Sequence, residues 1–552
     1  LILEEAGVLG DISVEEFPLY FIPLEQDVLS LGLEESFGEL HLVSFALNRI
    51  PYAQPPKSIQ RKDPTSIFLA AQALMPIQER YGLFPRIIGK GNNARRLMDL
   101  LFRMRSEAAA GESSVIATKL GMMPSASIES LIIIDREIDF ATVLLTPLTY
   151  EGLVDELFGI RDNQTEIDSS IVGHAPGGAT SSKSPAPTQQ QSLKRKIQLD
   201  SSDKLYDQVR DTNIAISGRL LNKVARRLES DYKSRYAAKS TSELREFVNK
   251  LPGFQSEQQS LNIHTGIAGE IKKHTDSEIF TRTLEVQQNL AEGTDPSSQH
   301  DTIEELISRD VPLTMILRLL CLGSCTSGGI RPKDLDHFKR LILQAYGYQH
   351  LLTFDALEKM HLIYPRSGSN VLLIPNPIGG GAAEGTRTNY AYLRKALRLI
   401  VEEVNEQDPD DIAYVYSGYA PLSIRLVQCI LQKHYLLSLT KAASASNGTS
   451  SAAHGWQGFE DVLKNVKGET FNRVQRGEEQ AVKARHMLSG TGGSKTVVVM
   501  FLGGITFTEI AALRFVAKQE EGRRRILICT TDIISGNRVI EAAIEKGDFG
   551  KG

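Results

Sequence analysis

The chain has 552 residues, more than a single hydrophobic core ordinarily serves, and its length predicts about three domains of common size. Hydrophobic residues make up 41% and charged residues 23%, the balance of a folded globular protein. A formal net charge of −5 with pI ≈ 6.2 excludes a sequence-wide nucleic-acid footprint.

The basic runs Lys194-Arg195-Lys196 and Arg523-Arg524-Arg525 are short and isolated, and read as solvated turns. Four cysteines are too few for a disulfide framework. Cys321, Cys325, Cys429 and Cys529 read as reduced, buried thiols, the first two one helical turn apart in the apolar run 315–325. Asn163-Gln164-Thr165 and Asn447-Gly448-Thr449 fit the glycosylation acceptor pattern, which a cytosolic chain would not present to that machinery. No signal peptide or membrane-spanning run is evident, and the apolar run 497–502 is strand-sized. The sequence opens at Leu1, without methionine, in folded-looking sequence. That predicts a fragment of a longer protein, with room for a targeting segment ahead of it.

Strand and helix signals alternate from the amino-terminal end. Residues 17–22 are strand-like, 67–80 are helical behind Asp63-Pro64-Thr65, and 86–88 form a short strand. Ala94, Leu97, Leu101 and Met104 share a helical face behind an Asn92/Asn93 cap. Residues 131–134 are apolar at every position, as a strand covered on both faces must be. This alternation predicts a parallel α/β sheet.

Residues 169–192 then change character. Gly, Pro, Ser, Thr, Ala and Gln dominate, and such a stretch cannot bury enough apolar surface to order itself. A second stretch, 441–455, is rich in Ala, Ser and Gly; both read as loop insertions, because strand and helix patterns resume after each.

From about residue 205 to 325 the signal is almost all helical. Leu244, Phe247, Val248 and Leu251 form one stripe, stopped by Pro252-Gly253; Leu261, His264, Ala268 and Ile271 form another beyond it. The two read as an αα-hairpin. Gln255, Gln258, Gln259, Asn262, Lys272 and Lys273 fill the remaining faces, as in a solvent-projecting arm. Residues 412–416 read as a strand, followed by the turn Ser417-Gly418-Tyr419-Ala420-Pro421 and a helix carrying Val427, Ile430 and Leu431. Strand 497–502, helix 507–516 and strand 526–529 close the chain. An α/β segment, a helical block and more α/β predict a domain interrupted by an insertion.

Three features invite a chemical reading. Gly89-Lys90-Gly91-Asn92-Asn93-Ala94 fits the G-x-G-x-x-A dinucleotide fingerprint, but no acidic residue ends a second strand some twenty residues on, so a tight βα turn is the better reading. Residues 489–496 resemble a phosphate loop with the topology reversed, since Ser494 precedes Lys495 and a strand follows the loop. Asp135, Arg136, Glu137 and Asp139 follow a buried strand without a partnering His, Cys or metal set. Asp135, Arg136 and Asp139 therefore read as an ion-pair loop. There is no H-E-x-x-H, C-x-x-C or G-x-S-x-G, so no catalytic residue, metal site or cofactor is expected.

Three long stretches carry a family resemblance, in order along the chain. Residues 130–160 (SLIIIDREIDFATVLLTPLTYEGLVDELFGI), 284–294 (LEVQQNLAEGT) and 496–516 (TVVVMFLGGITFTEIAALRFV) resemble conserved elements of the SM (Sec/Munc) family, whose members clasp SNARE helices during membrane fusion. Residues 88–97 (IGKGNNARRL), 338–352 (FKRLILQAYGYQHLL) and 404–422 (VNEQDPDDIAYVYSGYAPL) look specific to the branch serving the vacuolar and endosomal tethering complexes HOPS and CORVET. The resemblance covers nearly the whole chain apart from the two low-complexity insertions. In one respect it departs: residues 1–9 resemble a point partway through the family's first domain, about a hundred residues in.

The resemblance implies an arch of three domains, two parallel-sheet α/β domains and a mostly helical domain inserted into the second. Domain one would be residues 1–127; domain two, 128–238 and 411–552; domain three, 239–410, with a hairpin arm at 243–290. It implies a SNARE-binding chaperone with Qa- and R-type SNAREs and a helical tether subunit as partners, and no nucleic acid. The location implied is cytoplasmic, held through partners on vacuolar or lysosomal and late endosomal membranes. Phe254, Gln258, Leu261, His264, Ala268 and Ile271 would bind SNAREs; Lys339, Tyr346, Tyr348 and Leu351 would bind the tether subunit. The alternative, a nucleotide-dependent switch or ATPase using 89–94 or 489–496, would reveal itself by thermal stabilisation. Specific binding at 100 times its dissociation constant adds about 2.7 kcal/mol, and no such shift with ATP-Mg or NAD is expected.

Overall fold

The computed structural model describes residues 19–41, 64–111, 124–172, 194–236, 241–366, 387–439, 455–474 and 494–544, and the side chains of these except 108–111 and 231–252. A seven-stranded sheet has the order β1 (Ile22–Pro23), β2 (Val28–Ser30), β9 (Arg524–Thr530), β8 (Lys495–Leu502), β4 (Ile128–Asp135), β3 (Arg86–Lys90), β7 (Thr470–Val474). Its five inner strands are parallel, and β1 and β7 are antiparallel edges. A separate antiparallel hairpin joins β5 (Gln164–Asp168) to β6 (Lys194–Gln198).

The central strands show why their sequences are apolar throughout. Side chains alternate between the faces of a strand. Leu131, Ile133, Val498, Met500 and Leu502 pack with Ile67, Ala70, Leu74, Leu97 and Leu101 of the helices Thr65–Tyr81 and Asn92–Gly111. Ile132, Ile134, Val497, Val499 and Phe501 enter the larger core on the other face, shared with helix Phe507–Gln519. With both faces covered, each of these side chains stabilises the fold by about 1.5–3 kcal/mol. The larger core runs on without a break into the helical block, through Glu278–Glu292, His300–Ser308, Leu313–Ser327, Pro332–Tyr346 and His350–Lys359. The four cysteines are unpaired, and three of them are fully buried.

Several expectations are corrected. In the stretch 17–22 only Ile22 is in a strand; residues 19–21 are irregular, and 17–18 lie outside the described residues. The basic runs are not turns, since Lys194–Gln198 is β6 and Arg524 opens β9, where Glu129 and Glu520 pair with it. Ser169–Val172 is a short helix, with Val172 buried and Ile171 packed on the core, so the low-complexity stretch starts later than its composition indicated; 173–193 lie outside the described residues. Most of 441–455 and of 489–496 also lie outside them.

Residues 412–416 form a 3-10 helix, not a strand. All five are buried without a neighbouring strand, and a helix closes its own backbone hydrogen bonds while Asp411 accepts from the Ala413 amide at 2.9 Å. Helix Thr241–Thr275 runs unbroken through Pro252-Gly253. Its hairpin partner is the preceding helix, Ile214–Tyr236, and the two pack along each other, which offsets an interior-proline cost of about 3 kcal/mol. Finally, a boundary at residue 127 does not divide the sheet. β2 pairs with β9 and β3 with β4, so strands from both sides of that position share one sheet.

Candidate functional site

The carboxyl ends of parallel strands are where α/β proteins hold ligands; here cavities of about 850 Å³ beside Ser30 and Asp532 and about 710 Å³ beside Asn92, Glu137 and Asp139 open there, and the chain's own charged side chains occupy the space between them. At the end of β4, Asp135 accepts from the Asn93 amide at 2.8 Å and so caps helix Asn92–Gly111. Arg136, with a fully buried side chain, donates to both carboxylate oxygens of Glu509 at 2.9 Å, to the Gly504 carbonyl at 3.2 Å and to the Asp139 carbonyl at 3.1 Å. Its guanidinium lies 5.5 Å from the centroid of the Phe501 ring. Glu509 closes a capping box with Thr506 at the start of helix Phe507–Gln519. Asp139 accepts from the Thr142 amide at 3.0 Å and the Ser423 amide at 2.9 Å, capping Phe140–Leu144 and meeting the first turn of Leu422–Leu431. Burial raises the Asp139 pKa, against the opposing pull of Arg136. A helix N-terminus is a ready anion site; these four are each met by a carboxylate of the protein.

The G-x-G-x-x-A stretch has a packing role. A Cβ on Gly89 would overlap the Phe471 ring, and one on Gly91 (φ +115°) would overlap Asp135. Lys90 Nζ is held by the carbonyls of Leu463 at 2.9 Å and Gly468 at 2.6 Å and by Thr470 Oγ1 at 2.9 Å; burial lowers its pKa to about 8. Among the described residues no group of three His, Cys, Asp or Glu could hold a metal ion.

The six residues expected to face SNAREs divide. Leu261, His264 and Ile271 are buried, Phe254 and Ala268 are half-buried against the core, and Gln258 is exposed. The apolar stripe therefore seats helix Thr241–Thr275 on the protein, beside Tyr150–Phe158, Lys204–Val209 and Ser169–Val172. Close approach of the last is possible because a Cβ on Gly266 would strike the Ile171 carbonyl. His264, 1% exposed, places Nδ1 2.9 Å from the Tyr150 hydroxyl and Nε2 3.2 Å from Asp203 Oδ2. Gln255, Gln258, Asn262, Lys272 and Lys273 line the outward face. A 3.6-residue period identifies the buried stripe but not what covers it.

The four residues expected to meet the tether subunit also divide. Gly347 (φ +113°) ends helix Pro332–Tyr346 and turns the chain outward. Tyr348 and Leu351 are 80% and 59% exposed. Tyr346 instead donates its hydroxyl to the Val311 carbonyl at 2.6 Å, and Lys339 pairs with Glu358 at 2.5 Å. Leu352, 44% exposed, continues the apolar surface beside Leu351.

A family profile described as the Sec1 family matches residues 2–542. Vacuolar protein sorting-associated protein 33A of Rattus norvegicus is 36% identical over 545 residues, covering 99% of this chain and 79% of that protein. Vacuolar protein sorting-associated protein 33 of Schizosaccharomyces pombe is 32% identical over 545 residues, covering 98% and 80%. Among solved structures, the SM protein Vps45 in complex with the Qa SNARE Tlg2 superposes with a TM-score of 0.55 over 95% of this chain and 75% of that one, at 15% identity. The Unc18–syntaxin 1 complex from Monosiga brevicollis gives 0.56 over 95% and 76%, at 14% identity. With a family profile matched over residues 2–542 and relatives 36% and 32% identical over nearly its whole length, the chain belongs to the Sec1 family, the SM proteins.

Proposed function

We propose that this protein is a non-catalytic SNARE chaperone, the SM subunit of a vacuolar or endosomal tethering complex of the HOPS or CORVET kind. The observation that carries the reading is 36% identity across 99% of the chain to a protein named for vacuolar protein sorting. Fold relatives solved with the Qa SNARE Tlg2, with syntaxin 1 and with an N-terminal peptide of Sed5p support SNAREs as ligands, which we take to be of Qa and R type. Recognition of this kind needs a surface and no chemistry. The outward face of helix Thr241–Thr275, around Gln255, Gln258 and Asn262, is the surface offered to them. Among the described residues no helix is long and apolar enough to cross a membrane. In this reading the chain is held on vacuolar, lysosomal or late endosomal membranes through its partners.

A second surface, Tyr348 with Leu351 and Leu352, would hold the helical tether subunit. Tyrosine is enriched in interface hot spots and the two exposed leucines extend the apolar surface beside it, whereas Tyr346 and Lys339 are engaged within the protein, by Val311 and Glu358. The test is a pull-down of the chain against single vacuolar SNARE motifs and against the tether subunit. Gln258→Asp should weaken SNARE-motif binding alone. Tyr348→Asp with Leu351→Lys should abolish tether binding and spare both SNARE affinity and the melting temperature. A parent chain that binds no SNARE motif would overturn the reading.

A further inference from the structure

Helix Thr241–Thr275 is 35 residues long, about 52 Å at 1.5 Å per residue, and is tied to the α/β body by polar groups at Ser260 and His264. Ser260 donates to Asp203 Oδ1 at 2.7 Å and Oδ2 at 2.6 Å. The same carboxylate accepts from the Leu205 and Tyr206 amides at 2.9 and 3.1 Å, capping helix Lys204–Val209, so the anchor is itself fixed. His264 bridges this anchor to a second body helix, because its other nitrogen meets the hydroxyl of Tyr150, the first residue of Tyr150–Phe158. An ionised carboxylate only accepts, so Nε2 carries the hydrogen toward Asp203, and Nδ1 is the nitrogen that shares a hydrogen bond with the tyrosine hydroxyl. Tyr206 stacks on the imidazole with centroids 5.7 Å apart and planes at 19°. Burial acts to raise the Asp203 pKa, but hydrogen bonds from His264 and Ser260 outweigh it and hold the carboxyl well below the usual range. Each member thus satisfies another, with His264 and Tyr150 buried and Asp203 and Ser260 partly exposed at the edge of the contact.

We propose that Ser260, Asp203, His264 and Tyr150 form a positioning clamp that fixes the angle of the arm, helices Ile214–Tyr236 and Thr241–Thr275, on the α/β body. Resting on the reading that the arm binds SNAREs, the clamp makes its outward face a preformed template. The partner then meets that face already oriented, without first selecting it from a range of angles.

The test uses the full chain with spin labels at Ser256→Cys on the arm, to the side of the Gln255, Gln258 and Asn262 face, and Lys518→Cys on the body, both exposed positions. Pulsed dipolar spectroscopy should give one narrow distance distribution in the parent. His264→Phe, which keeps a ring and removes both hydrogen bonds, should broaden it, and amide exchange should rise in 253–275 and 150–158. Tyr150→Phe, which loses only the hydroxyl, should broaden it less and serves if the first variant fails to fold. If the arm then holds its binding angle a tenth of the time, SNARE-motif affinity falls about tenfold. Distributions as narrow as the parent's in both variants would overturn the clamp. A parent that shows the clamp but binds no SNARE motif would refute the chaperone reading and leave the clamp standing.

Discussion

Replacing Arg136 with methionine tests whether the buried ion pair beyond β4 holds the fold together. Arg136 and Glu509 are both fully buried and share two hydrogen bonds of 2.9 Å. Removing one partner of such a pair leaves a buried charge and costs about 3–5 kcal/mol. Arg136→Met also releases the Gly504 and Asp139 carbonyls, each bond worth about 1 kcal/mol. Against this, Asp139, its pKa already raised by burial and now without the opposing arginine, is free to take up a proton. A net loss of about 4 kcal/mol is expected. Glu509→Gln should cost about 2–3 kcal/mol, and the double variant about 1–3 kcal/mol less than the sum, because the second change removes the charge that the first strands. The assay is urea unfolding followed by the fluorescence of Trp456, the only tryptophan. Trp456 is buried and donates to the Leu426 carbonyl at 2.7 Å, in the helix whose Ser423 touches Asp139 and Glu509. A loss below about 1 kcal/mol for Arg136→Met, or strict additivity in the double variant, would refute the reasoning.

Two further outcomes follow from burial. Asp532 has its pKa raised to about 6 by burial and by the nearby Glu34 and Asp162. A carboxyl raised in the folded state stabilises below its unfolded pKa, and that contribution is lost as pH rises through about 6. Asp532→Asn should therefore raise stability at pH 7.5 by about 1–2 kcal/mol, discounted for partial exposure, and leave it unchanged at pH 4; an equal gain at both values would count against it. Shortening 174–192 to a Gly-Ser linker should leave the unfolding midpoint where it is, whereas Ile171→Ala with Val172→Ala should cost about 2–4 kcal/mol. Equal effects of the two changes, read by the same urea titration, would place the boundary of the packed segment wrongly.

Some of this molecule is written locally. The runs around Ile132 and Val499 are apolar at consecutive positions and rich in β-branched residues, the pattern of a strand covered on both faces, so β4 and β8 are legible without a structure. Ala94, Leu97 and Leu101 betray their helix face in the same way, and the stretches 130–160 and 496–516 carry the family through their order and length. Other features depended on partners far along the chain. Val28–Ser30 is three residues long and is a strand because Ile528, Cys529 and Thr530 pair with it from the other end of the sequence. Ile412–Tyr416 has the composition of a strand but finds no edge to join, so Asp411 caps it into a helix. His264 lies on an amphipathic stripe that could equally have met a partner; Asp203 and Tyr150 arrive beside it only in the folded chain. Periodicity records which face is apolar, because that depends on neighbours three or four residues away. What covers the face is decided by contacts across hundreds of residues, and those exist only once the tertiary structure has formed.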